Sequence, residues 1–297
     1  MSAGAGRYAP TPSSDLHLGN LRTAVVAYLA ARHDGLAFKM RLEDLDDRSR
    51  PDFAERQLAD LAALGLVWDG PVMVQSQRRQ AYDAAVDRLT GAGLTYECFC
   101  SRRDILEAPR APHQPPGVYP GTCRRLSAAE RARRRRVKAP AIRLRAGVGE
   151  FAVCDWRAGR GPQPVDDFIL RRADGVSAYN LAVVVDDAAQ SVSQVTRGDD
   201  LLSSSGRQSY VGSLLGLPPV SYVHLPLVMG RSGRRLSKRD SALAGAALFD
   251  RLGGAVGVLG AIGRSIGWDG GASAGASLDE LLEWFDWDRL RIGVWTP

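Results

Sequence analysis

The order of its segments limits this chain most. Residues 6 to 11 read as a short strand, and a helix follows in which Leu18, Leu21, Val25 and Leu29 recur at helical spacing. Ser13 or Ser14 is placed to cap that helix and Gly35 to end it. The stretch "LAFKMRLED" then alternates, with Phe38, Met40 and Leu42 on one face and Lys39, Arg41 and Glu43 on the other. Its second face is therefore expected to be wet or functional. A helix through Phe53, Leu58, Leu61 and Leu64, a strand "VMVQS" and a helix carrying Tyr82, Val86 and Leu89 complete a βαβαβα series. That order predicts an α/β fold built on a parallel, doubly wound sheet.

Between roughly 97 and 170 the rhythm is lost. This stretch holds three clustered cysteines, a loop "APRAPHQPPGVYPG", a basic run "RARRRRVK" and short strands near "AIRLRA" and "FAVCDW". From "DFILRR" the α/β pattern resumes through "YNLAVVVDD", "QVTRGDDLL", a helix near 205 to 216 and a strand "YVHLPLVM". The expected organisation is a first half-sheet over 1–96, an insertion over 97–165, a second half-sheet over 166–240 and a short helical region over 241–297. No apolar run reaches the ~18 residues of a membrane span, and no signal-peptide pattern opens the chain, so a cytoplasmic address and no membrane partner are expected. A net charge of +6 and a pI near 9.4 favour a polyanionic partner such as nucleic acid or nucleotide.

Two motifs carry the chemistry. In "HLGN", His17 to Asn20, an imidazole and a glycine sit where a strand turns into a helix, and a helix N-terminus presents unpaired N–H groups suited to phosphate. In "GRSGRRLSKRD", residues 230 to 240, a glycine-rich stretch leads to Ser237 and Lys238, which can clamp phosphates as hydroxyl donor and point charge. Together they resemble the class I aminoacyl-tRNA synthetases, in which a "HIGH" element and a "KMSKS" loop meet over ATP. "RYAPTPSSDLHLGN", "RLEDLD", "QSQR", "AYNLAVVVDD", "VTRGDDLL" and "HLPLVM" are, in order, similar to the catalytic domain of the glutamyl-tRNA synthetases, over about residues 6 to 240. The sequence departs from the motif names in "HLGN" and in Arg235, but His17 and Lys238 remain.

The resemblance implies a Rossmann-like fold, ATP with Mg2+ bridging its phosphates, and activation of L-glutamate as an adenylate. It implies His17 and Lys238 as catalytic residues, with Gly19, Asn20 and Ser237 beside them at ATP. It further implies Arg7, Tyr179 and Arg197 around the glutamate side-chain carboxylate, Glu43 at the α-amino group, and Ala9 and Thr11 at the "APT" corner.

Cys98, Cys100 and Cys123 supply three thiolates for a structural Zn2+, one per chain. Tyr119 is the expected fourth ligand, in agreement with the resemblance, and His113 competes with it. The basic run fits RNA phosphates and fits equally the solvated face of a short helix beginning at Ser127. After Arg239 there remain 297 minus 239, or 58, residues, fewer than the α-helical anticodon-binding region of a glutamyl-tRNA synthetase. The short relatives with this pattern are the glutamyl-queuosine tRNA(Asp) synthetases, which implies tRNA(Asp) carrying queuosine as the partner; a monomer is expected.

Overall fold

The computed structural model describes residues 4–107, 119–230, 244–270 and 275–296. In chain order the elements are β1 (Ala5–Tyr8), α1 (Leu18–His33), β2 (Ala37–Leu42), α2 (Pro51–Ala63), β3 (Met73–Val74), α3 (Arg79–Gly91), β4 (Thr95–Cys98) and α4 (Arg102–Glu107). They continue with α5 (Ala128–Arg135), β5 (Ala141–Leu144), β6 (Glu150–Asp155), β7 (Gly159–Pro164), β8 (Ile169–Arg171), α6 (Tyr179–Ala189), β9 (Val192–Gly198), α7 (Ser205–Leu214) and β10 (Ser221–Leu225). Three helices end the series: α8 (Gly245–Leu252), α9 (Gly254–Ser265) and α10 (Leu278–Trp284).

One sheet has the order β3-β2-β1-β9-β10-β6-β7. Every pair in it is parallel except β6 with β7. The α/β, doubly wound arrangement is the one expected. Strand order reverses at β1, which has β2 on one side and β9 on the other, and such a switch point opens a crevice at the strands' carboxyl ends. A second, antiparallel sheet, β4-β5-β8, carries Cys98 at its edge.

Residues 150 to 164, read from sequence within the insertion, join the main sheet instead: β6 pairs with β10 through Ser221↔Cys154 and Tyr222↔Asp155, and β7 folds back on β6. Strand pairing over so long a separation leaves no trace in local periodicity. It brings Asp155 beside β10.

Helix α1 is the spine of the core. Leu18, Leu21, Val25 and Leu29 are buried, and the helix packs on β1 and β2 through one side and on α9 and α10 through another. A Cβ at Gly6 would lie 2.7 Å from that of Ala31, so glycine sets how closely α1 rests on β1. At the far end Gly35 adopts φ 67°, as expected of the residue that ends the helix.

The cap is not Ser13 or Ser14. Gln57 donates from Nε2 to the carbonyls of Thr11 at 3.2 Å and Ser14 at 2.7 Å, which holds that corner in bends, and the helix starts only at Leu18 with His17 as N-cap. Among the described residues no single helix is long and apolar enough to cross a membrane; α8 and α9 together are apolar but bend by 84° between them.

Candidate active site

A cavity of about 430 Å³ opens at the carboxyl ends of β1, β2, β9 and β10. Arg7, Ala9, Thr11, His17, Gly19, Asn20, Glu43, Tyr179 and Arg197 all line it. Ser237, Lys238 and His113 lie outside the described residues. The residues flanking the 231–243 segment sit at the start of α1: Val228 lines the cavity, and Ala244 bridges His17.

His17 and Asn20 close a reciprocal cap. The Asn20 N–H donates to His17 Nδ1 and the His17 N–H donates to Asn20 Oδ1, both at 3.2 Å. A ring whose Nδ1 accepts carries its proton on Nε2, so the imidazole offers a donor on its outer edge. A Cβ at Gly19 would meet the His17 ring at 3.0 Å and Val228 at 3.4 Å. Glycine is thus needed here first to let the imidazole fold over its own helix.

Next to this lies an alternating charge network. Arg41 is fully buried and donates from Nη1 to Asp187 Oδ1 at 2.8 Å and Gln190 Oε1 at 3.0 Å, and from Nη2 to Glu43 Oε1 at 3.2 Å. Arg7 donates from Nη1 to the Thr196 carbonyl at 2.9 Å and approaches Asp187 through Nε at 3.5 Å. Burial pushes the Glu43 carboxyl above its usual range, against the opposing pull of Arg41 and Arg7. The face of β2 expected to be wet or functional is, at Arg41, buried and paired rather than wet. Alternation identified the face but not the carboxylates that α6 would bring to it.

Arg197, 5 % exposed, is clamped from several sides. It donates from Nη1 to Gln208 at 2.6 Å, from Nη2 to Ser205 at 2.9 Å and the Leu201 carbonyl at 3.2 Å, and from Nε to His224 Nε2 at 3.0 Å. Burial raises the Tyr179 phenol, although Arg197 nearby opposes the shift. Arg22, missed by sequence reasoning, also lines the cavity while only 1 % exposed. It spans the carbonyls of Pro226, Ser265 and Gly293, each at 3.3 Å, and burial lowers its value to about 10. Its spacing of four from Leu18 was the available signal, since that places it on the packed side of α1.

Away from the cavity, the sulfurs of Cys98, Cys100 and Cys123 lie within 4.8 Å of one another. Cys100 and Cys123 are 3.6 Å apart, near the ~3.8 Å between sulfurs that a tetrahedral ion with ~2.3 Å bonds requires. Tyr119 Oη stands 3.4 Å from Cys98 Sγ and 3.9 Å from Cys100 Sγ, while accepting the Cys123 N–H at 2.8 Å. Burial works against a Cys98 thiolate, but hydrogen bonds with Tyr119 and Arg143 outweigh it and hold that thiol below its usual value. Burial and then the charge on Cys98 push Cys100 up to about 12. A cation among the sulfurs relieves that conflict, so these residues can hold a metal ion. The first five residues of the basic run, 131–135, lie in α5, which is capped by Ser127 and Glu130 and has no residue buried.

Residues 5–286 match the family described as tRNA synthetases class I (E and Q), catalytic domain. A glutamyl-Q tRNA(Asp) synthetase of Nocardia farcinica is 62% identical over 241 residues, covering 81% of this chain and 77% of that protein. One of Geobacter sulfurreducens is 46% identical over 292 residues, covering 94% and 90%. Among solved structures, a glutamate tRNA ligase from Elizabethkingia meningosepticum in complex with its amino acid has the same fold, with a TM-score of 0.80 at 24% identity over 99% of this chain and 67% of that one.

Proposed function

This chain belongs to the class I tRNA synthetases of the E and Q type through their catalytic domain, and we propose that it activates L-glutamate with ATP, without tRNA, and transfers it to queuosine in the anticodon of tRNA(Asp). One observation carries the amino-acid half of this reading. Arg7, Tyr179 and Arg197 line one cavity with Glu43, so two guanidiniums and a phenol stand beside one carboxylate, and glutamate brings two carboxylates and one ammonium. The relatives' names and the 62% identity support the queuosine half.

In the activation step a carboxylate attacks the α-phosphate of ATP, so two anions must be held together while charge grows on the transferring phosphorus and on pyrophosphate. Arg7, Tyr179 and Arg197 hold the side-chain carboxylate, Glu43 takes the α-ammonium, and Ala9 and Thr11 form the corner beside them. That leaves the α-carboxylate to point at the nucleotide. His17 donates from Nε2 toward the α-phosphate; Gly19 and Asn20 flank the nucleotide, and Ser237 and Lys238 serve the leaving pyrophosphate. Mg2+, when bound with ATP, would neutralise part of the phosphate charge. Cys98, Cys100, Cys123 and Tyr119 would hold a structural zinc ion, which would tie "CFC" to "YPGTC". The enzyme works as a cytoplasmic monomer.

The test is twofold. Glutamate-dependent ATP–pyrophosphate exchange is expected without tRNA, and labelled glutamate is expected on queuosine-bearing tRNA(Asp) but not on its queuosine-free form. Equal transfer to both forms would place the ester on the terminal ribose and overturn the reading.

A further inference from the structure

Behind Arg197 lies a buried pair that no site residue named so far includes. Arg197 and His224 face each other in register on the parallel strands β9 and β10. Asp155 comes from β6, the strand on the far side of β10. Its Oδ2 lies 2.6 Å from His224 Nδ1 and accepts the His224 backbone N–H at 3.3 Å, while Oδ1 accepts the N–H groups of Arg157 at 3.0 Å and Ala158 at 2.8 Å. His224 and Asp155 are 2 % and 5 % exposed, and of the three only Arg197 lines the cavity.

The chain of donors runs one way. Arg197 always donates, so His224 Nε2 must accept, and the imidazole proton then sits on Nδ1, which donates a hydrogen bond to Asp155 Oδ2. Imidazolium would set two N–H groups against each other. A carboxylate touching Arg197 directly would fix the guanidinium equally well, but it would compete with a substrate carboxylate for the same charge. A neutral imidazole fixes the Nε edge and leaves the charge available. With Nη2 held by Ser205 and Leu201, the guanidinium plane cannot turn.

We propose that Asp155 and His224 are positioning residues that aim Arg197 at the side-chain carboxylate of the amino acid, so that selectivity for glutamate depends on β6, a strand outside the nucleotide-binding halves of the sheet. This rests on the reading of glutamate as the ligand. Neither residue touches substrate; both act through Arg197.

The experiment is ATP–pyrophosphate exchange with full-length protein, varying glutamate, glutamine and ATP. In His224→Asn the amide nitrogen replaces Nδ1 against Asp155 but does not reach Arg197. Asp155→Asn keeps the shape and turns the imidazole into the wrong tautomer. Each variant is expected to raise KM for glutamate about ten-fold or more, the loss of one charge-assisted hydrogen bond, and to lower the preference for glutamate over glutamine, with KM for ATP unchanged. The double variant is expected to be no worse than His224→Asn, because Asp155 acts through the imidazole. If His224→Asn does not fold, Asp155→Asn carries the same comparison. An unchanged KM for glutamate in a folded variant, or an equal rise in KM for ATP, overturns the inference alone. Wild-type protein without glutamate-dependent exchange overturns the ligand reading and this inference with it.

Discussion

Arg41 Nη1 donates to Asp187 Oδ1 at 2.8 Å with both side chains out of solvent, and this contact joins the first half of the main sheet to α6 of the second. A guanidinium so placed holds two carboxylates, Asp187 and Glu43, at fixed separation. Replacing it with Met leaves both without their main cation. Such a loss at a buried pair costs ~3–5 kcal/mol. Arg41→Met is expected to lose stability in that range by urea denaturation. Arg41→Lys should recover part of it, since one ammonium cannot span Asp187, Gln190 and Glu43 together.

His17 caps α1, and on the proposed function it is also a donor to the α-phosphate. His17→Ala removes both, with ~1 kcal/mol lost in stability and ~100-fold or more in the rate of glutamate-dependent exchange. His17→Asn keeps a side-chain acceptor for the N–H of Asn20 but has no Nε2. It is expected to melt within about a degree of wild type and to be as slow as the alanine variant. Thermal melts and exchange kinetics on the two variants check this; equal rates in wild type and His17→Asn would remove His17 from the chemistry.

The cysteine cluster is expected to bring about one zinc per chain through purification, read by elemental analysis. Cys100→Ser should lose it and lower the melting temperature, because structural zinc stabilises only the folded ligand set. Tyr119→Phe is the finer probe. It keeps the ring beneath the Arg143 guanidinium, 3.7 Å from its centroid, and deletes only the oxygen. Weaker retention against a chelator is expected; unchanged retention would point to another fourth ligand.

Asp60 reports on pH. Burial, and then the charge of Asp15, raise its carboxyl from 3.8 to about 6, and its Oδ2 is buried without a hydrogen bond. A carboxyl whose folded value is raised favours folding below its unfolded value, and that contribution disappears as pH rises through the folded value. Asp60 therefore costs nothing at pH 3.5 and penalises the fold above about pH 6. Asp60→Asn is expected to leave the melting temperature unchanged at pH 3.5 and to raise it by ~2–4 °C at pH 8. An equal effect at both values would assign the change to packing.

Much of the site was legible because its residues sit at element ends. Arg7, Glu43 and Arg197 were implied by the resemblance of ordered motifs to a known family, and all three line one cavity. What could not be read depends on partners far along the chain. Arg41 was placed only on a face that is wet or functional, because alternation reports a face, not what covers it. Asp155 looked like part of an insertion because its strand pairs with β10, nearly seventy residues on, at Tyr222. Ser13 and Ser14 have the right chemistry for a cap, but Gln57 from α2 claims their corner. Arg22 hides in a helix whose other buried residues are apolar.

By itself the sequence determined the local elements and the chemical inventory. Apolar spacing sets where helices and strands form, and the kinds of side chain at their ends limit the chemistry to anions, phosphate and metal. Only the tertiary structure decided which charges meet. Parallel pairing brings β1, β2, β9 and β10 to one crevice, burial turns Arg41 and Arg22 from surface cations into fixed ones, and β6 puts Asp155 behind His224. The reason is physical: the sign and worth of a charge depend on its solvent exposure and its neighbours, and neither is a local property of the chain.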